Sequence, residues 1–217
     1  MQEGAVFISL NNLGKKFGRE WIFKNLNFEF AAGSKTVILG GNGSGKSTLL
    51  QVISGFVMPN EGKVNYSRNN EAIADDKIKN QISFASPYLQ LVEDFTLTEM
   101  VGHAYAFKPF IQNIDPQKFI ELIQLEAAKY KFIKQFSSGM KQRLKLGLAV
   151  LSDAPVLLLD EPVSNLDKNA IAWYRNLVTE YGKDKTVIVC SNAIEEEYFF
   201  CNSRLSVEDF KFRETRA

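Results

Sequence analysis

The sequence predicts an α/β fold: a mainly parallel sheet with an antiparallel β edge and an α-helical subdomain inserted into the core. Three observations carry that prediction. Strand-like and helix-like segments alternate before residue 96 and again after residue 155, a glycine-rich loop joins one strand to one helix, and the stretch between, about 96–151, reads as helical. No repeat and no Pro, Gly or Ser-rich linker divides the 217 residues, so a single domain over 1–217 is expected.

In chain order, residues 6–13 and 22–30 read as strands, and 35–39 follows as a third after the turn Ala32-Gly33-Ser34. The glycine-rich loop comes next, and the apolar-periodic stretch 47–53 reads as a helix. Pro59-Asn60-Glu61-Gly62 marks a turn, with strands expected at 63–66 and 81–84. In the helical stretch, Asp115-Pro116 is a start signal, an N-cap followed by proline at the first helical position. Leu144, Leu148 and Leu151 form the i, i+4, i+7 stripe of a buried helix face. Residues 156–160 then read as a strand, Asp167 as the cap of a helix running to about Tyr181, and 186–191 as a further strand.

Bulk composition narrows the function. Lys plus Arg number 26 against 25 for Asp plus Glu, which is no footprint for nucleic acid. The two cysteines, Cys190 and Cys201, lack metal-ligand spacing and read as reduced thiols of a cytosolic protein. The apolar runs fall far below the ~20 residues of a membrane span, and Met1-Gln2-Glu3-Gly4 lacks the pattern of a signal peptide. A soluble, cytoplasmic protein is expected, reaching any membrane only through a partner.

Gly40-Gly41-Asn42-Gly43-Ser44-Gly45-Lys46-Ser47-Thr48 fits G-x-x-x-x-G-K-[ST], and it lies between a strand and a helix as that motif requires. Glycines let backbone N–H groups turn inward around a phosphate without Cβ clashes. The helix opening behind them aims its positive end at the same point. Lys46 supplies a point charge for β and γ phosphates, and the Ser47 hydroxyl can ligate Mg²⁺. The motif names a nucleotide and no more.

Val156-Leu157-Leu158-Leu159-Asp160-Glu161-Pro162 is an apolar strand ending in two acids. A strand buried on both faces delivers its last side chains to the carboxyl edge of the sheet, where ligands of open α/β folds sit. Asp160 is placed to hold Mg²⁺, directly or through water, and Glu161 to polarise a water at the γ-phosphate.

With these residues in place the sequence resembles the nucleotide-binding domains of ABC transporters over nearly its whole length. Phe136-Ser137-Ser138-Gly139-Met140-Lys141-Gln142-Arg143 looks like the family signature L-S-G-G-Q-x-Q-R, just before the carboxylate strand. As local structure it is an N-capped helix start. The resemblance implies that Ser137, Ser138, Gly139 and Met140 meet the γ-phosphate of ATP held by a second subunit. It implies a P-loop NTPase (RecA-like) core, with 96–151 as the signature subdomain. It also places Phe17 where the family stacks an aromatic on adenine, and Ser164 and Asp167 in the loop that contacts the opposite subunit.

Three departures stand out. The signature carries Ser138 for glycine and Met140 for glutamine. The loop Ile82-Ser83-Phe84-Ala85-Ser86-Pro87-Tyr88-Leu89-Gln90 has Pro87 at the family's glutamine position, and Gln90, three residues later, is the expected sensor and metal contact. The strand 186–191 ends in Asn192 where the family has a switch histidine, so slow hydrolysis is expected, with Glu161 and Asn192 as the catalytic candidates.

The resemblance implies a Mg-ATP-binding homodimer that drives a separate integral membrane subunit from the inner face of the cell membrane. Tyr88, Leu89, Leu91, Phe95, Tyr105, Phe107 and Phe110 make the insert rich enough in apolar groups to dock it. A single-cassette assembly scaffold and a small-molecule P-loop kinase are the alternatives, and the signature and switch strand speak against the kinase.

Overall fold

The computed structural model describes residues 4–211. Met1-Gln2-Glu3 of the leader pattern and the two ends of the 1–217 domain lie outside the described residues. The chain opens with β1 (Phe7–Phe17) and β2 (Glu20–Phe30), then β3 (Lys35–Leu39) and α1 (Lys46–Ile53). β4 (Glu61–Arg68), β5 (Glu71–Ala72), α2 (Asp75–Gln81) and β6 (Ile82–Ala85) follow. Helices α3 (Leu97–Phe107), α4 (Pro116–Leu122) and α5 (Ser138–Val150) fill the stretch before β7 (Val156–Asp160). The chain finishes with α6 (Lys168–Tyr181), β8 (Thr186–Ser191), α7 (Glu195–Tyr198), β9 (Ser203–Ser206) and a 3-10 turn at Val207–Phe210.

Two sheets result. The larger has the order β6-β7-β8-β3-β9, with every neighbouring pair parallel. The smaller is antiparallel, in the order β2-β1-β4-β5. Alternation along the buried strands of the parallel sheet divides the core in two. Leu158, Ile188 and Ile38 pack with Phe23, Phe30, Leu49 and Leu50 on the side of β1, β2 and α1. Leu157, Leu159, Val187 and Val189 pack with Phe119, Leu144, Tyr174 and Val178 from α4, α5 and α6. Both faces are covered, so these strands read as apolar runs rather than alternating ones.

Helix starts are set by local chemistry. Thr96 and Glu99 close a capping box on α3, the Asp115 carboxylate accepts from the Lys118 amide with proline at the first position of α4, and Asp167 accepts from the Ala170 amide of α6. After Asn192 the chain forms only the short α7, and Asn192 does not cap it. Ser191 Oγ instead accepts from the Ile194 amide at 3.1 Å, which frees the Asn192 side chain. β9 and α2 escape sequence reasoning for a physical reason: β9 has one buried residue and exists by pairing with the edge of β3, and α2 buries none. Both cysteines are free thiols; burial pushes Cys201 up to about 12 and Cys190 well above the ordinary thiol range, so neither is poised to react.

What this topology does for function follows from parallel register. Leu39 pairs with Ser191 and Asp160 with Cys190, so the loop after β3, the acids ending β7 and Asn192 after β8 emerge side by side at one carboxyl edge.

Candidate functional site

The glycine-rich loop turns sharply from β3 into α1. Gly45 caps α1 with φ 102°, and a Cβ there would lie 2.4 Å from Ile22 Cγ2, so neither the backbone nor the space admits another residue. Lys46, 5% exposed, folds back over the loop. Its Nζ donates to Gly40 O at 2.7 Å, Gly41 O at 3.0 Å and Asn192 Oδ1 at 2.5 Å, which uses all three ammonium hydrogens. The Ser44 hydroxyl is buried in the loop without a hydrogen-bond partner. Glu208, from the terminal 3-10 turn, accepts from the Gly41 amide at 2.9 Å, a support that motif reading does not find.

Asp160 ends β7 at 2% exposure. Ser47 Oγ donates to its Oδ1 at 3.1 Å and Ser86 Oγ to its Oδ2 at 3.2 Å. Burial raises its carboxyl above the ordinary range; the two hydroxyls and Lys46 pull it down, and the Glu161 charge adds to the rise. Glu161 follows in the left-handed region, φ 45°, a strained setting for a non-glycine residue. Its amide donates to Cys190 O at 3.0 Å, and the buried Gln142 of α5 donates to the next carbonyl, Pro162 O, at 2.9 Å. Asn192 Nδ2 then donates to Glu161 Oε1 at 2.7 Å.

A depression of about 440 Å³ unites these groups: loop residues 42–48 with Ile22, Tyr88, Glu161 and Asn192 line it. Gly40 and Gly41 stand behind it as acceptors of Lys46. Ser47 and Asp160 offer Mg²⁺ the hard oxygen donors it prefers. No cluster of three or more His, Cys, Asp and Glu able to hold a metal ion occurs among the described residues.

Gln90 is not brought to this cluster. It is exposed and lines a separate depression with Pro87, Glu93, Lys141 and Lys145, where Lys145 Nζ donates to Pro87 O at 2.6 Å. The side chain from this loop that touches Asp160 is Ser86, which spacing alone passes over.

Phe17 ends β1 with its ring 53% exposed and Lys15 Nζ 4.9 Å from the ring centroid, so it is an accessible face and not a packed one. Ser137 caps α5, its Oγ accepting from the Met140 amide at 3.2 Å, and both Ser137 and Ser138 are exposed. A Cβ on Gly139 would meet Asn165 O at 3.1 Å, so the helix start lies against the loop holding Ser164 and Asp167. None of these α5 residues lines the depression around Lys46.

Residues 23–164 match the family profile described as ABC transporter. The chain is 33% identical over 181 residues to the sulfate/thiosulfate import ATP-binding protein CysA of Mesostigma viride, a match covering 80% of this chain and 52% of that protein. It is 30% identical over 202 residues to the Nod factor export ATP-binding protein I of Rhizobium johnstonii, covering 91% and 65%. The chain therefore spans about half to two thirds of the length of these relatives. Among solved structures, the dimeric MJ0796, a bacterial ABC transporter cassette, superposes with a TM-score of 0.74 at 25% identity, over 93% of this chain and 95% of that one.

Proposed function

The chain belongs to the ABC transporter family, and from that premise we propose that it binds and hydrolyses ATP as a subunit that dimerises on ATP and drives a separate membrane protein. The observation that carries the reading is one depression lined by a phosphate-cradling loop and the Lys46–Asn192–Glu161 linkage, with Ser47 on its wall bonded to the buried Asp160.

The amides of the loop and Lys46 bind the phosphates. Ser47 and Asp160 would hold Mg²⁺, which when bound neutralises charge on the phosphate oxygens. Glu161 accepts a proton from the attacking water as its oxygen bonds to the γ-phosphorus. The bond to the bridging oxygen breaks, its electron pair leaves with ADP, and inorganic phosphate is released. The Asn192 amide holds the Glu161 carboxylate in place for that transfer. Ser86, in contact with Asp160, takes the part expected of Gln90.

One copy supplies only half the surroundings. The exposed start of α5, with Ser137, Ser138, Gly139 and Met140, is a helix N-terminus suited to an anion, and it points to ATP on a second copy. Ser164 and Asp167, beside it, would meet the same partner, and Phe17 offers its face to adenine. Among the described residues no helix is long and apolar enough to cross a membrane. The reading has the membrane reached through another subunit at its inner face. Exposed Tyr88 and Phe107 are the contacts offered to that subunit; Phe110 is buried and Leu91 packs on the core.

Steady-state release of phosphate from Mg-ATP, compared between wild type and Glu161→Gln, tests the assignment. Turnover that survives the substitution would remove Glu161 as the base.

A further inference from the structure

The 3-10 turn at Val207–Phe210 runs against the phosphate loop. β9 pairs with β3 in parallel register, Leu39 opposite Ser206, so the residues that follow the two strands leave the sheet together. Gly40 then lies beside Val207, and Gly41 beside Glu208. A Cβ on Gly40 would come within 3.0 Å of Val207 Cγ1, and one on Gly41 within 3.5 Å of Glu208 Oε1. Val207 is fully buried in the core that holds Leu49 and Leu50, which anchors the turn. Glu208 is exposed, and the turn needs nothing from it for packing.

One peptide unit links Glu208 to the site. The C=O of Gly40 and the N–H of Gly41 belong to the same planar peptide and point in opposite directions. Glu208 Oε1 accepts from that N–H at 2.9 Å, and that C=O accepts from Lys46 Nζ at 2.7 Å. A carboxylate at one end and an ammonium at the other polarise the peptide and strengthen both bonds. Gly41 O adds to the hold, accepting from Lys46 Nζ at 3.0 Å and from the Ser44 amide at 3.1 Å. The remaining ammonium hydrogen, on Asn192, is the one that a phosphate oxygen can take without breaking the loop's own bonds.

Glycine on both sides leaves this peptide conformationally free, so its direction has to be imposed from outside. The carboxylate does so at a cost, since a negative charge beside an anion site repels the ligand. Its exposure lets solvent and salt screen that cost. Orientation of the peptide is then the gain.

We propose that Glu208 is a positioning residue for nucleotide binding: its carboxylate fixes the Gly40–Gly41 peptide, and through that peptide keeps the Lys46 ammonium aimed at arriving phosphates. The proposal rests on the ATPase reading above for its consequence; the hydrogen-bonded chain from Glu208 to Lys46 stands without it.

Two variants test it. Glu208→Gln keeps an acceptor for the Gly41 amide, and Glu208→Ala removes it. Mg-ATP affinity is measured by calorimetry, with KM, kcat and thermal unfolding of each protein. The Gly41 amide is followed by nitrogen-proton NMR in glycine-labelled protein, assigned by its loss in Gly41→Ala. Glu208→Ala is expected to unfold at the wild-type temperature, to bind Mg-ATP about tenfold more weakly, and to raise KM in step with little change in kcat. Its Gly41 amide should leave the carboxylate-bonded position for that of a solvated amide. Glu208→Gln is expected to restore affinity and most of the amide shift. Wild-type affinity or tighter binding in Glu208→Ala overturns the proposal, as does an unmoved Gly41 amide, or a Glu208→Gln as weak as Glu208→Ala. A wild type that binds no Mg-ATP would overturn the nucleotide reading instead, and the Gly41 amide still decides whether Glu208 holds the peptide.

Discussion

Asn192 Nδ2 donates to Glu161 Oε1 at 2.7 Å, so the residue where a switch histidine is expected is bonded directly to the proposed base. The orientation of its amide follows from its neighbours. Lys46 Nζ can only donate and a Glu161 carboxylate can only accept, so oxygen must face Lys46 and nitrogen must face Glu161. Asparagine thus joins Lys46 to Glu161 through one side chain. Phosphates arriving at Lys46 compete for the ammonium that now holds the Asn192 carbonyl.

Lys46→Ala removes a charge and three hydrogen bonds from the loop. A charged hydrogen bond contributes about 1.5–3 kcal/mol, so losing even one between Lys46 and a phosphate should lower ATP affinity by roughly 10- to 100-fold. Calorimetric titration of Mg-ATP reads this directly. Equal affinity in the two proteins would mean that the loop does not hold the phosphates.

Glu161→Gln keeps the shape of the side chain but removes the base. The unhydrolysed nucleotide should then hold two copies together across the α5 helix start. Light scattering is expected to show twice the monomer mass with Mg-ATP and the monomer mass with Mg-ADP. Monomer alone at saturating ATP and high protein concentration would count against a shared site.

Much of this site is legible in the sequence because its parts are contiguous motifs with local physical causes. The loop from Gly40 to Thr48, the apolar run ending in Asp160 and the caps at Asp115 and Asp167 each announce themselves within a few residues. What escapes is fixed by packing between distant segments. Ser86 meets Asp160 because β6 lies beside β7, and Glu208 meets Gly41 because β9 lies beside β3. Family spacing falls on Pro87 and side-chain chemistry points to Gln90 three residues later, but the loop after β6 carries Gln90 to another depression. Phe110, grouped with the exposed aromatics by composition, is stacked on Phe119 inside the helical core.

Docking through the insert predicts separable effects. Tyr88 and Phe107 are 77% and 80% exposed, so arginine at either position costs little folding stability. Phe107→Arg should leave ATP binding intact while abolishing copurification with a membrane subunit. Tyr88 also lines the depression around Lys46, so Tyr88→Arg should affect both. Unchanged copurification of Phe107→Arg would make that ring ordinary surface.

Glu197 predicts a pH dependence of stability with a definite sign. Burial on α7 raises its carboxyl from 4.5 to about 7, so the folded state holds the proton more tightly than the unfolded chain. Stability is then fullest below about pH 4.5 and declines as pH rises through 7, by at most about 3 kcal/mol. Lys185, lowered to about 7 by burial, runs the other way, gaining stability from pH 7 upward. The difference between wild type and Glu197→Gln cancels the lysine. Thermal unfolding should find Glu197→Gln more stable by several degrees at pH 8 and level with wild type at pH 5. A constant difference across that range would show that Glu197 keeps an ordinary carboxyl.

Substitution of Asn192 discriminates a bridge from a spacer. Asn192→Ala removes the donor to Glu161 and the acceptor of Lys46 together. A water can replace such a contact for at most about 2 kcal/mol, whereas losing an oriented transition-state group costs about 3–4 kcal/mol in well-studied acyl-transfer sites. Turnover should therefore fall by up to about thirtyfold where a water enters and by several hundredfold where none does. Stability should change little, because Ser191 and not Asn192 accepts from the Ile194 amide that opens α7. Asn192→His retains an N–H donor for Glu161 and should match or exceed wild type. Asn192→Asp keeps the oxygen facing Lys46 but sets a carboxylate against Glu161, and should be slower than alanine. A loss of stability in Asn192→Ala with unchanged turnover per folded molecule would reduce Asn192 to a structural residue and leave Glu161 to act without it.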